Sequence, residues 1–132
     1  MKDLEKEFVP YQPSLDMKEL GFDEPCFGLW NINNGKYEAD IIGICKYSKD
    51  FKYRELLAPT FSQCFKWFRE KQEIEGFVHK SIEGNYYFVI KRIGNNESNM
   101  YEFTKTSPKT FDTYEEAELE CLKKLIEIVK NK

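Results

Sequence analysis

The residues best suited to chemistry are four cysteines and a single histidine, His79. A structural zinc site needs four ligands, which a chain usually supplies as close pairs such as C-x2-C. The cysteines of this chain are at least 19 residues apart, so it contains no close pair. The sequence therefore predicts neither a metal site nor a cofactor. Cysteines within apolar runs are expected to pack as small hydrophobic side chains, and these are Cys45, Cys64 and Cys121.

The segment ELGFDEPCFGLW (19–30) places the remaining cysteine, Cys26, directly after a proline and close to two carboxylates. A nucleophilic cysteine needs a base that forms the thiolate, and His79 could act as that base if Asp23 or Glu24 oriented its imidazole. Neither a glycine-rich turn nor a helix start accompanies Cys26, and the nearby acids disfavour a thiolate. We therefore interpret Cys26 as the packed start of a strand and predict no catalytic residue.

Other signatures of enzyme chemistry are weak or missing. His79 alternates with Phe77 and Ser81, a pattern typical of a strand, so we expect it to lie partly exposed on a sheet. Asp23 and Glu24 are candidate surface residues for binding a partner. The sequence contains none of the glycine-rich or serine motifs of phosphate-binding loops, dinucleotide-binding folds and serine hydrolases. With 23 acidic residues, a pair of carboxylates is too easily found to indicate a glycosidase.

A short basic and aromatic segment, KYSKDFKYR (46–54), has the residue types that bind single-stranded nucleic acid. Lys49, Lys52 and Arg54 could meet phosphates while Tyr53 stacks on a base. The alternative is a solvated loop whose aromatic side chains fold back onto the core. We favour the loop because the whole chain is acidic, with a net charge of −3. Nucleic acid is therefore not expected as a partner.

Size and composition indicate a single globular domain. With 132 residues, of which 41% are hydrophobic and 33% charged, the chain can bury a core without disulfide or metal staples. The aromatic content of 16% is high, and packing is its first explanation. The first residues do not resemble a secretory signal, and the longest apolar run, YYFVI (86–90), is too short to span a membrane. We expect a cytoplasmic protein with reduced thiols and no membrane partner.

The first half of the sequence predicts a short helix followed by a hairpin. Ser14 can cap a helix over residues 15–20, with the next glycine as its stop. A strand is expected over 26–32, and the Asn-Gly turn that follows it is the strongest short signal for a hairpin. The second strand of the hairpin is expected over 37–47, and a loop with a short strand near 53–57 follows.

The second half predicts two helices around three strands. Apolar residues recur at helical spacing over 60–72, which predicts an amphipathic helix. Strands are expected over 76–82, 86–93 and 99–106, with turn residues between them. The last helix begins with the capping box TYEE (113–116), and its apolar stripe is expected to be buried. This stripe comprises Ala117, Cys121, Leu122, Leu125, Ile128 and Val129.

This order of elements predicts an α+β fold. We expect an antiparallel sheet, formed by the hairpin and a three-stranded meander. The central helix and the long C-terminal helix are expected to cover one face of this sheet. Residues 1–132 are taken as a single α+β domain.

Three segments occur in this order along the chain: EFVPYQPSLDMKELGFDEPCFG (7–28), LAPTFSQCFKWFREK (57–71) and TYEEAELECLKKLIEIVK (113–130). Together they resemble a group of small uncharacterised proteins found in Bacteroides-type gut bacteria and in their phages and prophages. The strands between these segments vary within that group. The resemblance implies a mobile-element accessory protein. It transfers no catalytic or binding residue, because the group has no assigned activity.

The sequence leaves two classes of function open. The first is a non-catalytic interaction module that binds a host or phage protein or pairs with itself, since open strand edges and exposed aromatic residues favour association. The second is a small-ligand- or nucleotide-binding protein, which could be an enzyme, with a pocket between the sheet and helix 60–72. Single-stranded nucleic-acid binding through residues 46–54 is a weaker alternative.

Overall fold

The computed structural model describes residues 7–33, 36–45, 56–96 and 99–131. Within these ranges, helices and antiparallel strands occur together, which confirms the predicted α+β class. None of the described helices has the length and apolar character of a membrane span. In chain order the elements are α1 (Tyr11–Glu19), β1 (Cys26–Asn33), β2 (Lys36–Cys45), β3 (Leu56–Ala58), α2 (Phe61–Lys71), β4 (Ile74–Lys80), β5 (Tyr86–Asn96), β6 (Asn99–Thr106) and α3 (Tyr114–Lys130).

The chain divides into two compact units, residues 1–64 and residues 65–132, and the boundary falls within α2. The first unit contains the antiparallel sheet β2-β1-β3, and the second contains the antiparallel sheet β4-β5-β6. The described strands thus form two sheets, where the sequence suggested one. Strand propensity does not encode which strands pair with each other, so the sequence did not reveal this division. The single domain expected over residues 1–132 stays a prediction.

Helix α1 starts earlier than the sequence suggested. Pro10 is its N-cap residue, and Ser14 lies buried inside the helix. The Ser14 hydroxyl donates a hydrogen bond to the carbonyl of Val9 (3.0 Å), so the prediction of Ser14 as the helix cap is wrong. Pro13 does not prevent the earlier start, because the N–H that proline lacks has no helical partner in the first turn.

The end of α1 is the glycine stop that the sequence predicted. Gly21 has a φ of 104°, and its N–H donates to the carbonyl of Lys18 (3.0 Å). The N–H of Phe22 donates to the carbonyl of Met17 (3.0 Å), which completes a Schellman motif. The side chains of Phe22 and Met17 are both buried, as is usual for the apolar contact of this motif. The position of the chain as it approaches β1 is thereby fixed.

The hairpin of the first unit is confirmed over its described residues. β1 and β2 pair antiparallel from Cys26 opposite Cys45 to Asn33 opposite Lys36. The turn at 34–35 and the predicted strand residues 46–47 lie outside the described residues. The short strand predicted near 53–57 is found as β3, which pairs with β1.

The core of the first unit contains Phe8, Trp30 and Ala58. A Cβ atom on Gly28 would lie 2.6 Å from the ring of Phe8, so only glycine lets this ring approach the sheet so closely. The indole N–H of Trp30 donates to the carbonyl of Val9 (2.7 Å), which satisfies the only polar atom of this buried side chain.

The helix predicted over 60–72 is confirmed as α2. It begins with a reciprocal capping box that the sequence analysis did not identify. The Thr60 hydroxyl accepts from the N–H of Gln63 (3.2 Å), and the Gln63 side-chain oxygen accepts from the N–H of Thr60 (3.0 Å). The amide nitrogen of Gln63 also donates to the carbonyl of Pro25 (2.7 Å), which ties this helix start to the segment before β1.

Strand β4 is displaced from the predicted range of 76–82. It begins at Ile74, directly after Glu73, whose φ of 55° ends the preceding helical segment. Ser81 and Ile82 belong to the turn that leads to β5, so the prediction that Ser81 continues the strand is wrong. The N–H of Ser81 donates to the carbonyl of Asn85 (2.7 Å), and this bond closes the turn two residues earlier than the sequence suggested.

Helix α3 packs against β4 and β5 and has the predicted cap. The Thr113 hydroxyl accepts from the N–H of Glu116 (3.1 Å). Ile126 is buried although the predicted stripe omitted it, because it follows Leu122 by four residues and shares its face of the helix. Of the predicted stripe, Ala117, Cys121, Leu122 and Leu125 are buried, and Ile128 and Val129 are half-buried.

Side chains of α3 lie close to Gly76 of β4, and this contact generates a stability prediction. A Cβ atom on this residue would lie 2.7 Å from the sulfur of Cys121 and 3.1 Å from a methyl group of Leu125. We predict that Gly76→Ala lowers the free energy of unfolding, measured in urea, by about 1–3 kcal/mol, the usual cost of overpacking.

The double variant Gly76→Ala/Cys121→Ala is the matched control for this prediction. Because it removes the sulfur that the new methyl group meets, its loss of stability should be smaller than the sum of the two single losses. Strictly additive losses would contradict a direct contact between position 76 and Cys121.

Candidate functional site

Cys26 is a packed residue at the start of β1, as the sequence predicted. Its side chain is 1% exposed, and its thiol donates to the carbonyl of Glu24 (3.3 Å). Cys64 is also fully buried, and this burial, followed by the charge of Cys26, holds the pKa of its thiol well above the ordinary value. A nucleophilic cysteine requires the opposite shift and access to a substrate. Cys26 and Cys64 therefore fit a structural role.

His79 lies exposed on β4 in the second unit. Its imidazole stacks on the ring of Tyr87, with the ring centres 5.4 Å apart, and its centre is 6.2 Å from that of Phe77. Across the described ranges, His, Cys, Asp and Glu side chains nowhere come together in a group of three that could hold a metal ion. The surroundings of His79 are therefore those of an aromatic surface.

Phe77, His79 and Tyr87 form what we call the aromatic row. His79 lies directly opposite Tyr87 in the register of β4 and β5, and Phe77 lies two residues before His79 on the same face. The side chain of Phe77 is 39% exposed, His79 is exposed and Tyr87 is half-buried. The other face of these strands is covered by α3 and carries the buried residues Ile74, Phe88 and Ile90.

Charged residues border the aromatic row at one end. Glu75 precedes Phe77 on the same face and lies opposite Lys91 in the register. The Lys91 ammonium lies 5.9 Å from the centre of the Phe77 ring, within the range of a cation–π interaction. Ile82, in the turn between β4 and β5, is fully exposed. The aromatic row thus lies in a surface with both apolar and charged side chains.

A second feature is a groove of about 390 Å³ next to α3. Its apolar floor is formed by Phe88 and Phe111, whose rings are stacked with their centres 6.1 Å apart. The ammonium of Lys109 lies 5.4 Å from the centre of the Phe111 ring. The remaining charged lining consists of two ion pairs on α3, Glu120 with Lys123 (3.1 Å) and Glu127 with Lys124 (3.0 Å).

Asp23 and Glu24, which the sequence analysis proposed as binding residues, contribute to neither feature. Asp23 is exposed and Glu24 half-buried, and both lie in the first unit, between α1 and β1. The lining of the groove comes from β5, β6, α3 and the segment before α3, and includes no residue of 60–72, where a pocket was expected. The other predicted binding residues, Lys49, Lys52, Tyr53 and Arg54, lie outside the described residues.

Comparison of the chain with protein-family models, with curated proteins and with solved structures gave no match. The function therefore has to be inferred from the side chains described above. Sequence reasoning missed the aromatic row as a surface, although the alternation of Phe77 and His79 and the run YYFVI contained its signal. Alternation reveals that a strand has two faces, but it does not reveal which face is covered.

The buried thiol of Cys121 predicts a dependence of stability on pH. Burial, followed by the charge of Glu118, raises the pKa of this thiol from 9.0 to about 12. Because the thiol ionises at lower pH in the unfolded chain, stability contributed by the neutral form is fully present below pH 9.0 and is lost towards pH 12. We predict a loss of about 1.4 kcal/mol per pH unit from this group across that window.

Chemical denaturation of the wild type and of Cys121→Ala at a series of pH values measures this effect. Each series gives a slope of the free energy of unfolding against pH. The difference between the two slopes is the contribution of Cys121, without that of the tyrosines and lysines that titrate in the same range. Parallel slopes would show that the thiol is not buried in the folded state.

Proposed function

We propose that the chain is a non-catalytic interaction module that binds other protein chains through the aromatic row. The observation that carries this proposal is the exposure of Phe77 and His79 on a sheet face whose opposite side is covered by α3. A solvated sheet face normally carries polar side chains. Aromatic side chains are enriched in protein interfaces, where they bury a large area at a small cost in conformational entropy.

The rest of the row fits a binding surface. Tyr87 and His79 are stacked, so their side chains are held before a partner arrives. Side chains that are already ordered lose little entropy on binding. Lys91 and Glu75 supply charges of both signs next to the apolar rings, which is the composition of a polar rim. The buried thiols of Cys26, Cys64 and Cys121 support a non-catalytic role.

The setting of this function is part of the proposal. The resemblance of residues 7–28, 57–71 and 113–130 to proteins of Bacteroides-type bacteria and their phages supports an accessory role in a mobile element. A host or phage protein, or a second copy of this chain, would be the partner. A cytoplasmic setting is part of the same proposal.

Substituting two residues of the aromatic row tests this function directly. In capture experiments from a lysate of the encoding cells, we expect Phe77→Ser/Tyr87→Ser to lose the partners that the wild type retains. Tyr114→Ser is the matched control, because Tyr114 is an aromatic residue that is 44% exposed away from the row. Thermal unfolding verifies that each variant is folded. Equal capture by the double variant and the wild type, or no captured chain at all, would refute the proposal.

The groove supports a second candidate function, the binding of a planar aromatic carboxylate. Phe88 and Phe111 offer stacked rings as a floor, and Lys109 extends its ammonium over one edge of that floor. Lys109 makes no ion pair within the part of the chain that the structure describes, whereas Lys123 and Lys124 are paired on α3. An apolar floor with the ammonium of Lys109 beside it suits a ligand that is flat and carries one negative charge.

Naphthalene-2-carboxylate and its uncharged carboxamide form a matched pair of probes for the groove. In NMR titrations we expect the carboxylate to shift the signals of Phe111 and Lys109 and to bind about fivefold more weakly to Lys109→Ala, which lacks the charge-assisted contact. The control Lys71→Ala removes an exposed lysine of α2 and should not change binding. Equal affinities for the carboxylate and the carboxamide would exclude recognition through Lys109.

A further inference from the structure

Strand β4 lies at an edge of its sheet. Among the strands that the structure describes, it pairs with β5 alone. An edge strand presents a row of backbone N–H and C=O groups that can pair with a strand of another chain.

The hydrogen bonds on the far side of β5 show which backbone groups of β4 are directed to the open edge. Tyr86 exchanges two backbone hydrogen bonds with Phe111 (2.8 and 2.7 Å), on the side of β5 opposite β4. Bonded and non-bonded positions alternate along an antiparallel pair. Lys80, which lies opposite Tyr86, therefore directs its N–H and C=O away from β5. The same alternation directs the backbone groups of Val78 and Gly76 to the open edge.

The side chains of β4 are self-complementary about the middle of the strand. Phe77 is the central residue of Ile74–Lys80, with Glu75 two positions before it and His79 two positions after it on the same face. A second β4 strand, placed antiparallel across a two-fold axis at Phe77, would bring Glu75 of each copy opposite His79 of the other. An acid opposite an imidazole is a favourable cross-strand pair, and symmetry makes the pair occur twice.

We propose that the partner of the aromatic row includes a second copy of this chain, and that two β4 strands pair antiparallel about Phe77 into a six-stranded sheet. This inference rests on the proposed interaction function. In this register Gly76 of one copy and Val78 of the other exchange hydrogen bonds through the groups that point to the open edge. The two aromatic rows then form one continuous apolar face across the junction.

Two features favour this register: the number of strand residues that pair, and the pairing of Glu75 with His79. An axis at Phe77 pairs all seven residues of β4, whereas an axis at a neighbouring residue leaves strand residues at both ends without a partner. With the axis at Val78, for example, Glu75 would face Ser81 of the turn, and the pairing of acid with imidazole would be lost. Glu75 makes no ion pair within the described residues, so its carboxylate is available to His79 of the second copy.

A charge swap tests this register. By sedimentation velocity of the full chain, from about 1 µM to about 1 mM, we expect a concentration-dependent dimer in the affinity range of small interfaces. His79→Glu places two carboxylates opposite each other on both sides of the axis and should raise the dissociation constant about tenfold. The double variant Glu75→His/His79→Glu restores an acid opposite an imidazole and should return to within about threefold of the wild type.

Matched controls distinguish a loss of pairing at the β4 edge from general effects of a substitution on charge or folding. Glu83→Lys changes the charge of an exposed turn residue and should leave the dimer unchanged. Lys80→Pro removes an N–H that points to the open edge and should abolish the dimer, whereas Lys80→Ala should retain it. Circular dichroism verifies that each variant is folded. If Lys80→Pro does not fold, the swap alone decides the outcome.

Three outcomes would overturn the inference. They are a strict monomer at all concentrations, a swap that does not restore dimerisation, and a dimer that tolerates Lys80→Pro. A strict monomer whose aromatic row still retains a different protein would overturn the self-pairing and leave the proposed function intact. A wild-type chain that neither dimerises nor retains any other protein would refute both.

Discussion

The close packing of α3 on one face of β4 and β5 is the constraint on which the second unit depends. Gly76 has no side chain, and the sulfur of Cys121 and a methyl group of Leu125 occupy the space where one would lie. With one face of β4 committed to the helix, the two-residue period of a strand turns Phe77 and His79 to the other face. The aromatic row is exposed because the packing of the covered face leaves no alternative register.

The first unit satisfies a comparable constraint through buried polar groups. The carbonyl of Val9 accepts from both the indole of Trp30 (2.7 Å) and the hydroxyl of Ser14 (3.0 Å). Burying either donor without a partner would cost about 1–3 kcal/mol. One backbone oxygen therefore holds the segment before α1 against a helix residue and a strand residue at once. This hydrogen bond also satisfies the buried hydroxyl of Ser14 inside a helix that the residue does not cap.

The sequence predicted those features well that depend on interactions between residues close together in the chain. The Thr113 cap, the Gly21 stop and the first hairpin depend on residues close together in sequence, and the structure contains all three. The shift of β4 was missed because the strand begins directly after a residue with unusual backbone geometry. Glu73, with its φ of 55°, has no sequence signature comparable to glycine. The pairing of β3 with β1 is a contact between distant segments, which no local pattern specifies.

The charges on β4 illustrate how one set of residues can both protect an edge and select a partner. Charged side chains on an edge strand normally prevent pairing, because an arbitrary strand leaves them unmatched or opposite like charges. The carboxylate of Glu75 would be unmatched on most strands and in most registers. About an axis at Phe77, however, Glu75 and His79 face each other in opposite order and become complementary. In the proposed dimer, protection against other chains and recognition of an identical chain would follow from the same sequence, and symmetry alone would distinguish them.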